Sequence, residues 1–77
     1  MKDYIARMVV EYKELKDRIQ KLKKAIDNVE FLAGIGERKA GLLIAQYHAM
    51  KTYGLILASR LAIEVEEGNC TAEDISG

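Results

Sequence analysis

The sequence predicts an all-α fold: a two-helix antiparallel hairpin of long, coiled-coil-like helices that assembles into a helical homo-oligomer. Proline is absent, and β-branched residues do not alternate with polar ones, which argues against strands. Apolar residues also repeat at alternating spacings of three and four, the heptad pattern of a coiled-coil seam. The seam consists of Ile5, Met8, Tyr12, Leu15, Ile19, Leu22, Ile26 and Val29.

The hairpin is expected to occupy residues 1–67. The seam predicts helix 1 over about residues 2–28, with Asp27-Asn28 as the place where that helix weakens. A glycine-containing corner is assigned to residues 29–37, and helix 2 to about residues 38–66. Residues 68–77 then form an acidic polar tail that is expected to fray.

Helix 2 carries two apolar stripes, and helix 1 can cover only one of them. The other therefore needs a partner, which favours self-association. Gly54 lies inside this helix, where glycine costs about 1 kcal/mol relative to alanine, so a close contact or a ligand is expected there. One stripe contains Leu43, Tyr47, Met50, Leu57 and Leu61, and the other Leu42, Ala49, Tyr53, Ile56 and Ile63.

The small size of the chain also favours a homo-oligomer, for which a hexamer is one candidate assembly. A 77-residue domain buries a limited core and usually needs a disulfide, a metal or a partner subunit. Cys70 is the single cysteine and His48 the single histidine, too few for an intramolecular disulfide or a zinc site. We therefore expect no metal and no cofactor.

The charges are balanced overall but unevenly placed. Residues 1–60 carry all 12 Lys and Arg and seven acids, whereas residues 61–77 carry five acids and no basic residue. A mildly basic body suits an anionic ligand, although a solvated surface with a polar tail explains the pattern equally well. No signal-peptide pattern and no long apolar run is present, so neither export nor a membrane partner is expected.

The corner sequence AGIGERKAG, residues 33–41, resembles a helix-hairpin-helix motif that binds DNA phosphates. In that interpretation Gly34 and Gly36 turn the chain, and Arg38 and Lys39 add positive charge. An uninterrupted heptad helix leading into the corner argues against it, so Gly34 and Gly36 are more simply helix-capping and turn residues, and DNA is not the favoured partner. A P-loop is excluded, because leucines stand where its Lys and Ser/Thr are required.

The wider pattern resembles small phage and prophage helical-hairpin proteins related to a crAss-like phage protein. The resemblance is carried by YIARMVVEYKELKDRIQKL, residues 4–22, and LLIAQYHAMKTYGLILASRL, residues 42–61. The layout also resembles phage anti-CBASS proteins, which are oligomeric helical hairpins that sequester cyclic di- and trinucleotides of host immunity without cleaving them. The resemblance implies a non-enzymatic nucleotide sponge that acts in the host cytoplasm.

A sponge for such a signal needs cations for phosphates, an aromatic surface for a base, and an amide for a base edge. Gln46, Tyr53 and Arg60 are spaced by seven and lie on one helix line. Tyr53 is expected to stack on a base, Arg60 to pair with a phosphate and Gln46 to read an edge. Tyr4 and Arg7, one turn apart, are expected to close the pocket from another subunit.

Each of these residues also has a purely structural interpretation. The line through Gln46 and Arg60 fits a coiled-coil seam whose polar residues fix the register, and Tyr4 and Arg7 fit an ordinary helix start. Catalysis is not expected, for three reasons. The single histidine has no acid partner at helical spacing, the single cysteine lies in the tail, and no pair of carboxylates faces an apolar pocket. The alternatives to a sponge are nucleic-acid binding through the corner and a structural or protein-binding coiled-coil module that inhibits a host defence protein.

Overall fold

The structure is a computed structural model that describes residues 1–76 of the chain, and all regular elements in this range are helices. The long helices are α1, Asp3–Ile26, and α3, Glu37–Glu66. The short helices are α2, Val29–Ile35, between the long ones, and α4, Ala72–Ser76, after them. The molecule is elongated, with extents of 48 × 18 × 17 Å. The expected all-helical fold with two long helices is confirmed.

Helices α1 and α3 run antiparallel. Tyr4 at the start of α1 contacts Glu64 at the end of α3, whereas Glu11, further along α1, contacts Tyr53, which lies earlier on α3. The helices approach closely at Gly54, where an added Cβ would lie 3.4 Å from the Cδ1 atom of Ile19. The close contact expected at this glycine is therefore made by α1.

The core lies at the open end of the hairpin, where the two termini meet. The most deeply buried side chains are Ile5, Leu57 and Leu61, and Met8, Val9, Leu15 and Cys70 complete the buried cluster. The seam residues toward the corner, such as Leu22 and Ile26, are only half-buried. The heptad pattern thus identifies the face of α1 that packs on α3, but burial is concentrated in its first half.

The corner contains a helix that the sequence analysis did not predict. Helix α1 ends at Ile26, so the expectation that Val29 continues its seam is wrong; Val29 begins α2 and is exposed. Asn28 explains the break, because its side chain accepts a hydrogen bond from the Phe31 backbone N–H at 3.0 Å and caps the new helix. Helix α1 therefore stops at Asp27-Asn28, the place where the sequence analysis expected it to weaken.

A single residue, Gly36, joins α2 to α3. Its backbone has φ 91° and ψ 162°, a region that only glycine adopts readily. Gly34, which the sequence analysis placed in the turn with Gly36, instead lies inside α2. The change of direction therefore depends on one glycine rather than two.

This difference between the glycines predicts opposite effects of the same substitution. Gly36→Ala is expected to lower the free energy of unfolding by about 1–3 kcal/mol, because alanine is strained at this φ and ψ. Gly34→Ala is the matched control: no atom lies near its added Cβ, and alanine favours helix, so stability should rise by up to about 1 kcal/mol. Chemical denaturation monitored by circular dichroism measures both, and equal effects would contradict the assignment.

The segment after α3 is folded, contrary to the expectation of a frayed tail. Gly68, with φ 75°, ends α3 in a Schellman motif, in which Asn69 N–H donates to the Glu64 carbonyl and Gly68 N–H to the Val65 carbonyl. Cys70 then enters the core. Thr71 and Asp74 cap α4 through reciprocal hydrogen bonds of 2.9 and 3.2 Å, and Ile75 packs against the core.

The two stripes of α3 differ in burial in the way that the sequence predicts. Leu57 and Leu61 are fully buried against α1, whereas Leu42, Ile56 and Ile63 are exposed. The hairpin thus leaves one apolar face of α3 uncovered. None of the helices within residues 1–76 combines the length and the apolar character that crossing a membrane requires.

Candidate functional site

A tyrosine and a buried carboxylate meet at the open end of the hairpin. The Tyr4 hydroxyl donates to Glu64, at 2.7 Å from Oε2 and 3.1 Å from Oε1. Glu64 is only 8% exposed and also accepts a longer contact of 3.4 Å from the Asn69 side-chain amide. The hydrogen bond to Glu64, with burial as a second cause, raises the pKa of Tyr4, so its hydroxyl stays protonated and donating.

A second tyrosine–carboxylate pair lies further along the same side. The Tyr53 hydroxyl donates to Glu11, at 2.6 Å from Oε1 and 2.9 Å from Oε2. The hydrogen bond to this carboxylate raises the pKa of Tyr53, while the nearby positive charge of Arg60 acts in the opposite direction. The two pairs fix the register of α1 against α3 with polar contacts on either side of the arginines.

Two arginines lie between these pairs without an ionic partner. Within residues 1–76 the ion pairs are confined to α1 and its C-cap, and neither Arg7 nor Arg60 takes part in one. Both guanidinium groups line a cavity of about 260 Å³, which we call the arginine cavity. Its lining residues are Tyr4, Arg7, Met8, Glu11 and Arg60.

The arrangement leaves cationic donors available beside partly accessible aromatic rings. Neither guanidinium forms an ion pair within residues 1–76, so both arginines remain free to bind an anion. A guanidinium presents a planar fork of N–H donors that matches a phosphate. The cavity can therefore bind a phosphate-bearing group non-covalently.

Four of the five sequence-predicted ligand residues lie together. Tyr4, Arg7 and Arg60 of one chain line the arginine cavity, and Tyr53 reaches it through Glu11. Tyr4 and Arg7 therefore do not need to come from another subunit. Gln46 lies apart, two heptads before Arg60 and about 21 Å away along the helix axis, and its amide contacts the Met50 sulfur at 3.7 Å.

Glu11 and Glu64 were missed as members of this site. The sequence analysis took Glu11 for a solvated flank residue and counted Glu64 only as an acid of the C-terminal region. Their roles depend on which turn of α1 faces which turn of α3, and spacing along one helix does not reveal this. The available signal was the position of Glu64 on the apolar face of α3, three residues from Leu61.

The corner has a different chemistry. Ile35, Leu42 and the stems of neighbouring side chains surround a shallow, mostly apolar cavity of about 470 Å³. Arg38 and Lys39 lie at its edge with Glu37 beside them. Because α2 is separate from α1, an unbroken helix no longer argues against a helix-hairpin-helix motif at the corner. Of the two glycines, however, only Gly36 lies at the turn.

Comparison with known families decides the affiliation of the chain. The family model of Sequestin matches residues 2–63, which include α1, α2, and α3 as far as Ile63. The chain belongs to the Sequestin family. Comparison with curated proteins and with solved structures gives no match.

The match to Sequestin includes all five residues that line the arginine cavity. Tyr53 also falls within residues 2–63, whereas Glu64 and α4 follow them. The Sequestin affiliation favours a binding and sequestering role over catalysis. The corner also lies within the matched residues, so the extent of the match does not distinguish the arginine cavity from the corner as the binding site.

The two tyrosine–carboxylate pairs are expected to differ in their effect on stability. Tyr4→Phe leaves the buried Glu64 carboxylate without its shortest donor, whereas Tyr53→Phe leaves the exposed Glu11 carboxylate to water. Tyr4→Phe should therefore lower the melting temperature and Tyr53→Phe should change it little. Because the pKa of Tyr4 is raised from 10.0, its contribution is complete below pH 10 and is lost as the pH rises through the raised value.

Thermal melts at neutral and alkaline pH test this prediction. The difference between the wild-type chain and Tyr4→Phe should disappear once Tyr4 ionises. A difference that persists unchanged at high pH, or equal effects of the two substitutions at pH 7, would contradict it.

Proposed function

We propose that the protein binds and sequesters a cyclic nucleotide signal of host immunity, as a homo-oligomer in the host cytoplasm, and does so without cleaving it. The observation that carries the proposal is the pair of arginines, Arg7 and Arg60, that line one cavity without ionic partners. Membership of the Sequestin family supports it, since the name denotes sequestration.

Each part of the cavity has a role in this proposal. Arg7 and Arg60 bind the phosphates, because charge-assisted bonds to guanidinium are strong and directional. The rings of Tyr4 and Tyr53 offer stacking surfaces to the bases, since both are partly exposed while their hydroxyls are held by carboxylates. Release of the signal intact is part of the proposal, and the Sequestin affiliation supports it.

Isothermal titration against a panel of cyclic di- and trinucleotides and cyclic ADP-ribose isomers tests the proposal. We expect saturable binding of at least one member, and chromatography of the ligand released by heat should return it unchanged. Binding of none would overturn the proposal, and a new product would overturn the claim of sequestration without cleavage. A duplex DNA arm addresses the corner: retention of DNA with no nucleotide binding would favour the helix-hairpin-helix alternative.

A further inference from the structure

The exposed face of α3 carries a second heptad repeat. Leu42, Ala49, Ile56 and Ile63 recur every seven residues, and Ala45, Thr52 and Ser59 lie between them. The spacing alternates between three and four throughout, as in the seam of α1. All seven residues are exposed, with Ile56 and Ile63 about half accessible. We call this set the α3 stripe.

The α3 stripe has the composition of a helix–helix contact. It contains no charged residue between Leu42 and Ile63, and the small side chains at its intervening positions allow another helix to approach closely. The Thr52 hydroxyl already donates to the His48 carbonyl at 3.0 Å, so burying it leaves no unsatisfied donor. An apolar band of this length on a small chain is incomplete without a covering surface.

The charges at the two ends of α3 indicate what covers the stripe. Arg38 and Lys39 lie in its first turn with Glu37, which leaves a net positive charge at the positive end of the helix dipole. Glu66 and the C-cap Glu67 place negative charge at the negative end. Both placements are unfavourable within one helix. A second α3 running the opposite way would place each basic end beside an acidic end and offset this cost.

The four residues that recur every seven positions, Leu42, Ala49, Ile56 and Ile63, are placed symmetrically about the midpoint of the stripe. Leu42 and Ile63 are equally far from the Thr52-Tyr53 bond, and so are Arg38 and Glu67. Gln46 and Arg60 lie seven residues on either side of Tyr53, along the edge of the stripe. Reversing the helix about the Thr52-Tyr53 bond therefore brings Gln46 to the level of Ser59, one residue from Arg60.

We propose that two copies of the chain pair through the α3 stripe, antiparallel about a two-fold axis near Thr52-Tyr53, and that each copy contributes Gln46 to the arginine cavity of the other. With a two-fold axis at this place, the edge of α3 that carries Gln46 and Arg60 lies on the same side of the pair in both copies. Gln46 of the second copy therefore lies beside Arg60 of the first. The pairing assigns a place to the one predicted ligand residue that a single chain leaves remote from the cavity.

The second copy also enlarges the site. The arginine cavity has about 260 Å³, below the roughly 300–1,000 Å³ of typical small-molecule pockets. Pairing adds a wall that carries an amide able to donate to and accept from a base edge. The inference rests on the proposed function for what the completed cavity binds, but the pairing itself does not depend on any ligand.

Crosslinking between single-cysteine variants tests the pairing without a nucleotide. In a Cys70→Ala background, a short bismaleimide should link Ala45→Cys to Ser59→Cys, and Gln46→Cys to Arg60→Cys, when the two variants are mixed. None of these four should crosslink efficiently with itself, whereas Thr52→Cys should. Lys51→Cys, exposed on α3 with no stripe residue three or four positions away, serves as the control that gives no crosslink.

The outcomes separate the arrangements. Self-crosslinking of Ser59→Cys indicates a parallel pair and overturns the proposal, and so does failure of every mixed pair. A mixed link at Ala45 and Ser59 without one at Gln46 and Arg60 overturns the completion of the cavity by Gln46. Because no nucleotide is used, failure of the titration panel leaves these results intact, and the reverse also holds.

Native mass spectrometry of lysine variants is the second measurement. Ile56→Lys should convert the assembly to smaller species. Ile44→Lys, at an exposed apolar residue of α3 with no stripe residue three or four positions away, should leave the mass unchanged. A wild-type chain that is monomeric at all concentrations overturns the proposal and favours another protein as the partner of the stripe. Circular dichroism confirms that each variant remains helical.

Discussion

Leu57→Ala is expected to lower the free energy of unfolding by about 2–5 kcal/mol, the range for truncating a fully buried leucine. Leu57 is 0% exposed and packs at the centre of the core with Ile5 and Leu61. The stability of a domain is only about 5–15 kcal/mol, and a chain this small lies at the low end. The substitution should therefore leave a large fraction of the protein unfolded at physiological temperature.

Leu55→Ala is the matched control for this prediction. Leu55 is on the same helix two residues away and is 69% exposed. Urea denaturation of both variants should show a lower midpoint for Leu57→Ala and a nearly unchanged one for Leu55→Ala. Equal effects would contradict the placement of Leu57 in the core and of Leu55 on the surface.

Replacing the two free arginines is expected to remove nucleotide binding while the fold is retained. Arg7→Ala and Arg60→Ala should each reduce affinity by about 10–100-fold, because a charge-assisted phosphate contact is worth roughly one to two factors of ten. Neither guanidinium is engaged in an ion pair within residues 1–76, so their removal leaves no carboxylate newly unpaired. Titration of the single and double variants with the tightest-binding member of the nucleotide panel measures the effect.

Arg38→Ala provides the control with the same change of charge at the opposite end of the molecule. Its affinity should match that of the wild-type chain. A loss at Arg38 equal to that at Arg60 would move the site to the corner and support the nucleic-acid alternative. Circular dichroism distinguishes loss of binding from loss of fold.

The parts of this structure that could be predicted from the sequence are those determined by short-range periodicity. The spacing of apolar residues identified both long helices and the two stripes of α3, of which α1 covers only one; which stripe it covers came from the structure. Helix α2 was missed although Asn28, which caps it, was recognised as a weak point. Helix α4 was missed although Thr71 and Asp74 stand at the spacing of a capping box.

The site was less predictable because it depends on contacts between helices. Tyr4 and Glu64 are separated by 60 residues, and Tyr53 and Glu11 by 42. Which residues meet is determined by the register of α1 against α3, and this register depends on the closure of the hairpin around α2 and Gly36. The sequence analysis therefore named Tyr4, Arg7 and Arg60, which the structure brings together, but not the carboxylates that accompany them.

The position of the core has a consequence for how the chain folds. Ile5 and Met8 pack against Leu57, Leu61 and Cys70, so the most stabilising contacts join the first residues of the chain to nearly the last. During synthesis, α1 has no buried partner until the end of α3 has been made. Closing such a long loop costs entropy before any core forms. The nascent chain must therefore carry its apolar seam exposed until the last turns of α3 have been made.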